Sequence, residues 1–376
     1  MKPKTRHHKT TAVLFFCLAF FNVIAQVTPE SLRRFIGDGE NLSNAGIKNS
    51  LLLKKFYENY GFGCAWMGNE NAKNLSDLSE MVNHSAMVGL DATVYQPGYF
   101  SHSPGNIALQ NAEDSIQAEL RYTDIALQFI KDFMFGNTQP ALGFNGLNYS
   151  PDYNNIPVLL ASYLSAHTLS SLTSQEEKKL PEIAAIEKKL QWLQTIISDS
   201  NFTEVNIGSA TVNGKNKELL TKLYQLGMFD TLFEETTDSA IKQKVRQAQR
   251  QFNLLDDGTL RPTSLEEFNI PLRIRLQQLT LSVNYYRWLY WLTRNQSVVV
   301  VNIPAAAMKV YNDTDVILEM RMVVGKPSTP TPTLASRINE VVLYPYWNVP
   351  YSIATRELLP SIKKIQDLLP QANSRF

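Results

Sequence analysis

Sulfur and imidazole are scarce in this chain. Its 376 residues include two cysteines and five histidines. Cys17 lies within an N-terminal apolar run, which leaves Cys64 as the one thiol beyond it, and a lone thiol cannot close an internal disulfide. Past His7 and His8, histidine occurs only at 84, 102 and 167, and no Cys/His spacing has the form of a metal site. A glycine-rich phosphate loop is also missing. Charge is nearly balanced, with 36 Lys and Arg against 35 Asp and Glu. The first 25 residues carry four of the bases and none of the acids, so the remainder is slightly acidic. With no basic excess to neutralise phosphates, the composition argues against a nucleic-acid partner.

What is there begins with a signal. Lys2, Lys4, Arg6 and Lys9 precede the apolar run 12–24, and Val23-Ile24-Ala25 suits a signal peptidase, so cleavage is expected after Ala25. The run is short for a membrane span, which needs about 20 apolar residues. Phe15-Phe16 before Cys17 does not fit a lipoprotein site. The expected product is exported to the periplasm, without a transmembrane anchor after cleavage.

Three textures follow. Residues 26–200 read as mainly helical, with apolar stripes at helical spacing in 75–82, 115–136 and 178–198 and a Gly/Asn/Pro-rich loop across 135–157. Residues 203–270 carry a short helix closed by Gly227, a helix over 240–252, and the Asp257-Gly258 turn before Pro262-Thr263-Ser264-Leu265. Thr263 or Ser264 is expected to cap the next helix. A linker helix spans 271–296. From Ser297 the texture turns to strand: Val298-Val299-Val300-Val301, then 308–311 and 316–324 around an Asn312-Asp313 turn, then 339–343. The fold class is therefore α+β.

The chain now looks familiar. Val301-Asn302-Ile303-Pro304, Val310-Tyr311, Met322-Val323-Val324-Gly325-Lys326-Pro327 and Tyr344-Pro345-Tyr346-Trp347-Asn348-Val349-Pro350 resemble the opening of the YkuD-type L,D-transpeptidase catalytic domain. Residues 247–265 resemble a peptidoglycan-binding-like helical module. Phe56-Tyr57, Gly61-Phe62, Trp66, Gly89-Leu90-Asp91 and Tyr95 resemble the helical scaffold of the large members of that family. The resemblance implies a 26–200 scaffold, a 203–270 wall-binding-like module and, over 297–376, the N-terminal part of a β-rich catalytic domain. It also implies acyl transfer on peptidoglycan stem peptides with no cofactor. A cysteine thiolate attacks the stem carbonyl, D-alanine leaves, and a neighbouring stem amine takes the acyl group to give a 3–3 crosslink. Such chemistry needs a thiolate, a histidine and oxyanion donors. Residues 297–376 hold neither Cys nor His, so the resemblance assigns no catalytic residue here. This chain alone is expected to be inactive, as part of a longer enzyme. The competing reading is a non-catalytic wall-binding or scaffold protein.

Some residues invite a role. Cys64, within Gly61-Phe62-Gly63-Cys64-Ala65-Trp66, fits a buried structural thiol better than a nucleophile. His84 fits a helix surface or cap better than a base. Arg246 and Arg250, at i and i+4, fit a solvated face better than an anion site. Tyr346 and Trp347 are the candidate substrate-binding pair, equally compatible with a groove and with the inside of a strand corner.

Overall fold

A computed structural model describes residues 27–95, 111–138, 140, 151–173, 180–231, 237–294 and 296–364. The expected signal segment, His102 and part of the expected 135–157 loop lie outside them. The described residues fall into two units, one reaching Pro332 and the other beginning at Thr333.

The first unit opens with helices α1 (Pro29–Gly37), α2 (Gly39–Asn44), α3 (Ser50–Asn59), α4 (Ala72–Asn83), α5 (Ala112–Phe135) and α6 (Ile156–Ser165). Their apolar stripes close one core around Phe56, Tyr57, Trp66, Leu78, Leu120, Phe129 and Leu160. The middle of that core is polar. Glu119 on α5 is fully buried, and its carboxylate accepts the backbone N–H groups of Ala65, Trp66 and Met67 and the Tyr57 hydroxyl. Thr123, one turn on, accepts from Trp66 Nε1 at 2.8 Å and lies 2.8 Å from the Tyr57 hydroxyl. The loop after α3 is thus held by α5 through satisfied hydrogen bonds, as a buried polar group requires.

A second core lies between α7 (Pro181–Ser198), α8 (Lys217–Gln225), α9 (Asp238–Gln251), α10 (Pro262–Phe268) and the start of α11 (Leu272–Thr293). Leu193, Leu219, Leu223, Val245, Phe268 and Leu272 are buried in it. Gly227 follows α8 at φ +70°, the left-handed stop expected of it. The α10 cap differs from expectation. The helix starts at Pro262 after Arg261, with no side-chain cap, and Ser264 is buried inside it, 3.2 Å from Gln249 Nε2. Pro262 needs no N–H partner at the first helical position, so the start shifts ahead of the hydroxyls.

Helices α7 and α11 pack along each other, and α11 also touches α5. Two left-handed glycines receive α11. A Cβ on Gly89 (φ +73°) would strike the Val283 side chain, and one on Gly136 (φ +75°) would strike the Asn284 carbonyl. Asn284 itself is fully buried.

From α11 the chain enters an antiparallel sheet ordered β1–β2–β3, with β1 Val298–Asn302, β2 Ala307–Asn312 and β3 Asp315–Arg321. Val298 pairs with Tyr311 and Val310 with Leu318, with a bulge at Val310/Tyr311, and Asp313 takes the turn at φ +54°. One face of the sheet carries Lys309 and the buried Tyr311 toward α7. The other presents Val299, Val301, Leu318 and Met320, all exposed.

In the second unit, Tyr351–Ile353, Ala354–Leu358 and Leu359–Lys364 form consecutive helical turns. The strand expected at 339–343 is not formed. Val341, Val342 and Leu343 are 79%, 61% and 78% exposed, and a β-branched run without a partner strand gains nothing from extension. The strand expected to run to 324 stops at Arg321.

Candidate functional site

Most residues singled out by the sequence stand apart. Tyr346 and Trp347 are 95% and 69% exposed in an irregular segment, neither in a core nor in a groove of the described residues. Cys64 is half-buried. Its Sγ lies 3.6 Å from the Val27 carbonyl, and burial, with the nearby Glu119 and Glu70 carboxylates, pushes its thiol up to about 12. Such a thiol stays protonated at neutral pH and is a poor nucleophile. His84 is exposed at the C-cap of α4. His167 Nδ1 lies 3.1 Å from Asn74 Oδ1, a structural contact. Arg246 and Arg250 are exposed on α9, and Arg250 pairs with Asp256 at 3.1 Å. Among the described residues no cluster of three or more His, Cys, Asp and Glu could hold a metal.

Where polar groups do meet, they join the sheet to the helices. Glu182, at the start of α7, accepts from Lys309 Nζ at 2.8 Å and from the Tyr311 hydroxyl at 2.9 Å. Burial works against the Glu182 charge, but these two donors outweigh it and hold the carboxyl below its ordinary value. The bond from Glu182 likewise raises Lys309 above the usual lysine range. The other Glu182 oxygen, Oε2, is buried and has no hydrogen-bond partner among the described residues.

Alongside lies a small cleft of about 60 Å³, formed by the C-terminal end of α5, the first turns of α7 and the last turns of α11. Phe133, Tyr290 and Trp291 give it aromatic walls, and Arg287 lines it. The Arg287 guanidinium is 3% exposed, donates to Glu187 at 2.9 Å and to the Val88 carbonyl at 2.6 Å, and sits 5.0 Å over the Phe133 ring. Sequence reading missed this arginine. The available signal was polar residues, Arg275, Asn284 and Arg287, at buried positions of an otherwise apolar helix stripe.

Two comparisons bear on this architecture. Residues 51–190 match the Scaffold domain, and residues 296–375 match the L,D-transpeptidase catalytic domain. The first runs from α3 to the middle of α7, and the second begins where α11 hands over to β1. The chain thus joins a Scaffold domain to an L,D-transpeptidase catalytic-domain match. It is also similar to a candidate L,D-transpeptidase of Haemophilus influenzae, 38% identical over 73 residues. That alignment takes in 19% of this chain and 15% of the relative, so the chain matches only a small part of the relative's length. The L,D-transpeptidase match contains the whole three-stranded sheet, and the Glu182–Lys309 bridge joins the two matched regions. No helix among the described residues is long and apolar enough to cross a membrane.

Proposed function

We propose that this chain works in peptidoglycan L,D-transpeptidation at the cell envelope, exported to the periplasm by residues 1–25. Its scaffold helices carry the catalytic-domain sheet, and the 203–270 module meets the wall. The observation supporting this is the bridged arrangement of α7 and β2, in which the start of a transpeptidase-type domain is joined to a Scaffold domain by half-buried polar contacts. The substrates are peptidoglycan stem peptides, and Tyr346-Trp347 are the proposed contact residues, since two large aromatics held in solvent are free to receive a ligand.

A second reading is favoured by one specific fact. Residues 297–376 hold neither the thiol nor the imidazole that acyl transfer requires. On that reading residues 1–376 serve as a non-catalytic wall-binding or scaffold protein. Both readings require affinity for the wall. Purified chain mixed with insoluble peptidoglycan sacculi should sediment with them, and Tyr346→Ala with Trp347→Ala should leave more chain in the supernatant. Chain that stays in the supernatant at every sacculus concentration would refute both.

A further inference from the structure

Another cleft, of about 110 Å³, is lined by the end of α4, by Phe129 of α5 and by the 3₁₀ turns Ser85–Val88 and Leu169–Thr173. Met81, His84 and Met87 line it together. They recur at every third residue, and the backbone keeps that register. The His84 N–H donates to the Glu80 carbonyl, and the Met87 N–H donates to the His84 carbonyl. Side chains three apart share a face on an α-helix and eclipse on a 3₁₀ turn. Two thioethers and an imidazole thus border one small space. Met81 is buried, whereas His84 and Met87 are exposed, so an ion reaches the imidazole and one sulfur directly from solvent.

The cleft is well below the range of about 300–1,000 Å³ of small-molecule sites, and a single ion suits it better. The donors select which ion. Magnesium, calcium and manganese take oxygen ligands, and thioether sulfur serves them poorly. Zinc takes four ligands from thiolate, imidazole and carboxylate, and the lining offers one imidazole and one carboxylate, Glu80. Copper(I) is soft and takes thioether sulfur, and imidazole suits copper as well. The Glu80 carboxylate, in the same lining, opposes its single positive charge. We propose that Met81, His84 and Met87 form a copper(I) site on the scaffold helices, with two sulfurs and one imidazole nitrogen as ligands. The site uses neither Cys64 nor the sheet, and it stands whether or not the peptidoglycan reading does.

The test is anaerobic titration of the purified full chain with copper(I), kept reduced by ascorbate, in competition with the chromogenic chelator ferrozine. Thiols also take copper(I), so the background carries Cys17→Ser and Cys64→Ser and holds no thiol. In it, one copper(I) equivalent should withstand the chelator. His84→Gln and Met87→Leu should each weaken that equivalent by at least about tenfold, since losing even an outer-shell partner typically costs about 10–100-fold in metal affinity. Both positions are exposed, so each variant should keep the fold, and Met81→Leu, which conserves core volume, should weaken binding likewise. X-ray absorption of the loaded thiol-free chain should show sulfur neighbours at copper. Copper(I) stripped completely by ferrozine overturns the proposal, as does an equivalent unaffected by His84→Gln or by Met87→Leu. A copper shell without sulfur, or zinc(II) held as tightly at the same residues, overturns it too.

Discussion

Asn284 Nδ2 donates to the Gly89 carbonyl at 2.8 Å, joining the middle of α11 to a turn 195 residues earlier in the chain. The same side chain, through Oδ1, accepts from the Asn137 N–H at 3.2 Å. One amide therefore pins both left-handed glycine turns against the helix. Asn284→Leu leaves the buried Gly89 carbonyl without this donor, at about 1–3 kcal/mol, and strips the more exposed Asn137 N–H of its acceptor. Gly89→Ala and Gly136→Ala add a Cβ where φ is positive and space is lacking. Each of the three variants should lower the urea midpoint with little change in m-value. A midpoint unchanged in Asn284→Leu would show that the amide is incidental.

Glu119 sets a pH dependence. Burial raises its carboxyl to about 7 against an ordinary value of 4.5, although three backbone N–H groups and Tyr57 pull the other way. The folded value lies above the unfolded one, so the folded chain binds the extra proton between pH 4.5 and 7. Stability is then full below about 4.5 and declines as pH rises through 7, by on the order of 3 kcal/mol. Glu119→Gln should be destabilised by about 2 kcal/mol, because an NH2 replaces an oxygen that accepts backbone N–H groups. It should also lose the slope between pH 4.5 and 7. Parallel pH curves for the two proteins would place the titration elsewhere.

Some of this was legible in the sequence because it is local. The Val298–Val301 run forms β1, and the turn expected at Asn312-Asp313 falls one residue on, at Asp313-Thr314 between β2 and β3. The Gly227 stop is equally local. Asn284 and Arg287 were not legible, since their partners lie at Gly89 and Val88 and no periodicity connects positions that far apart. The strand expected at 339–343 shows the converse. Its β-branched composition is right, but a strand exists only with a neighbour, and none of the described residues pairs with it.

The Glu182–Lys309 pair should matter more for sheet order than for global stability. Lys309 is 29% exposed, so solvent screening keeps the pair near the modest values of surface bridges, about 1 kcal/mol or less. Glu182→Ala, which also strips the Tyr311 hydroxyl of its acceptor, should speed hydrogen exchange in β1–β3 while α3–α6 keep their protection. Exchange unchanged in the sheet would mean that packing alone holds it to α7.

Residues 333–364 should be the first region cut by protease. Ile338, Val341, Leu343, Tyr344 and Tyr346 are all more than two-thirds exposed, and little backbone hydrogen bonding protects the segment before Tyr351. Brief trypsin treatment should cleave after Arg337 well before any site in α5 or α11. First cleavage within those helices would contradict the burial described here.

Residues 296–375, which match the L,D-transpeptidase catalytic domain, contain no Cys, and on the proposed reading residues 1–376 perform no acyl transfer by themselves. A carbapenem, which acylates the cysteine of this family, reports on that directly. Loss of a nucleophile removes most of the rate enhancement, on the order of 10⁶-fold in triad hydrolases. Cys64, with its thiol pushed up to about 12, offers no thiolate to replace it. Intact-mass spectrometry of the purified chain after incubation with a carbapenem should show an unchanged mass. A stoichiometric adduct that maps to Cys64 would contradict the account and make that thiol an active-site residue.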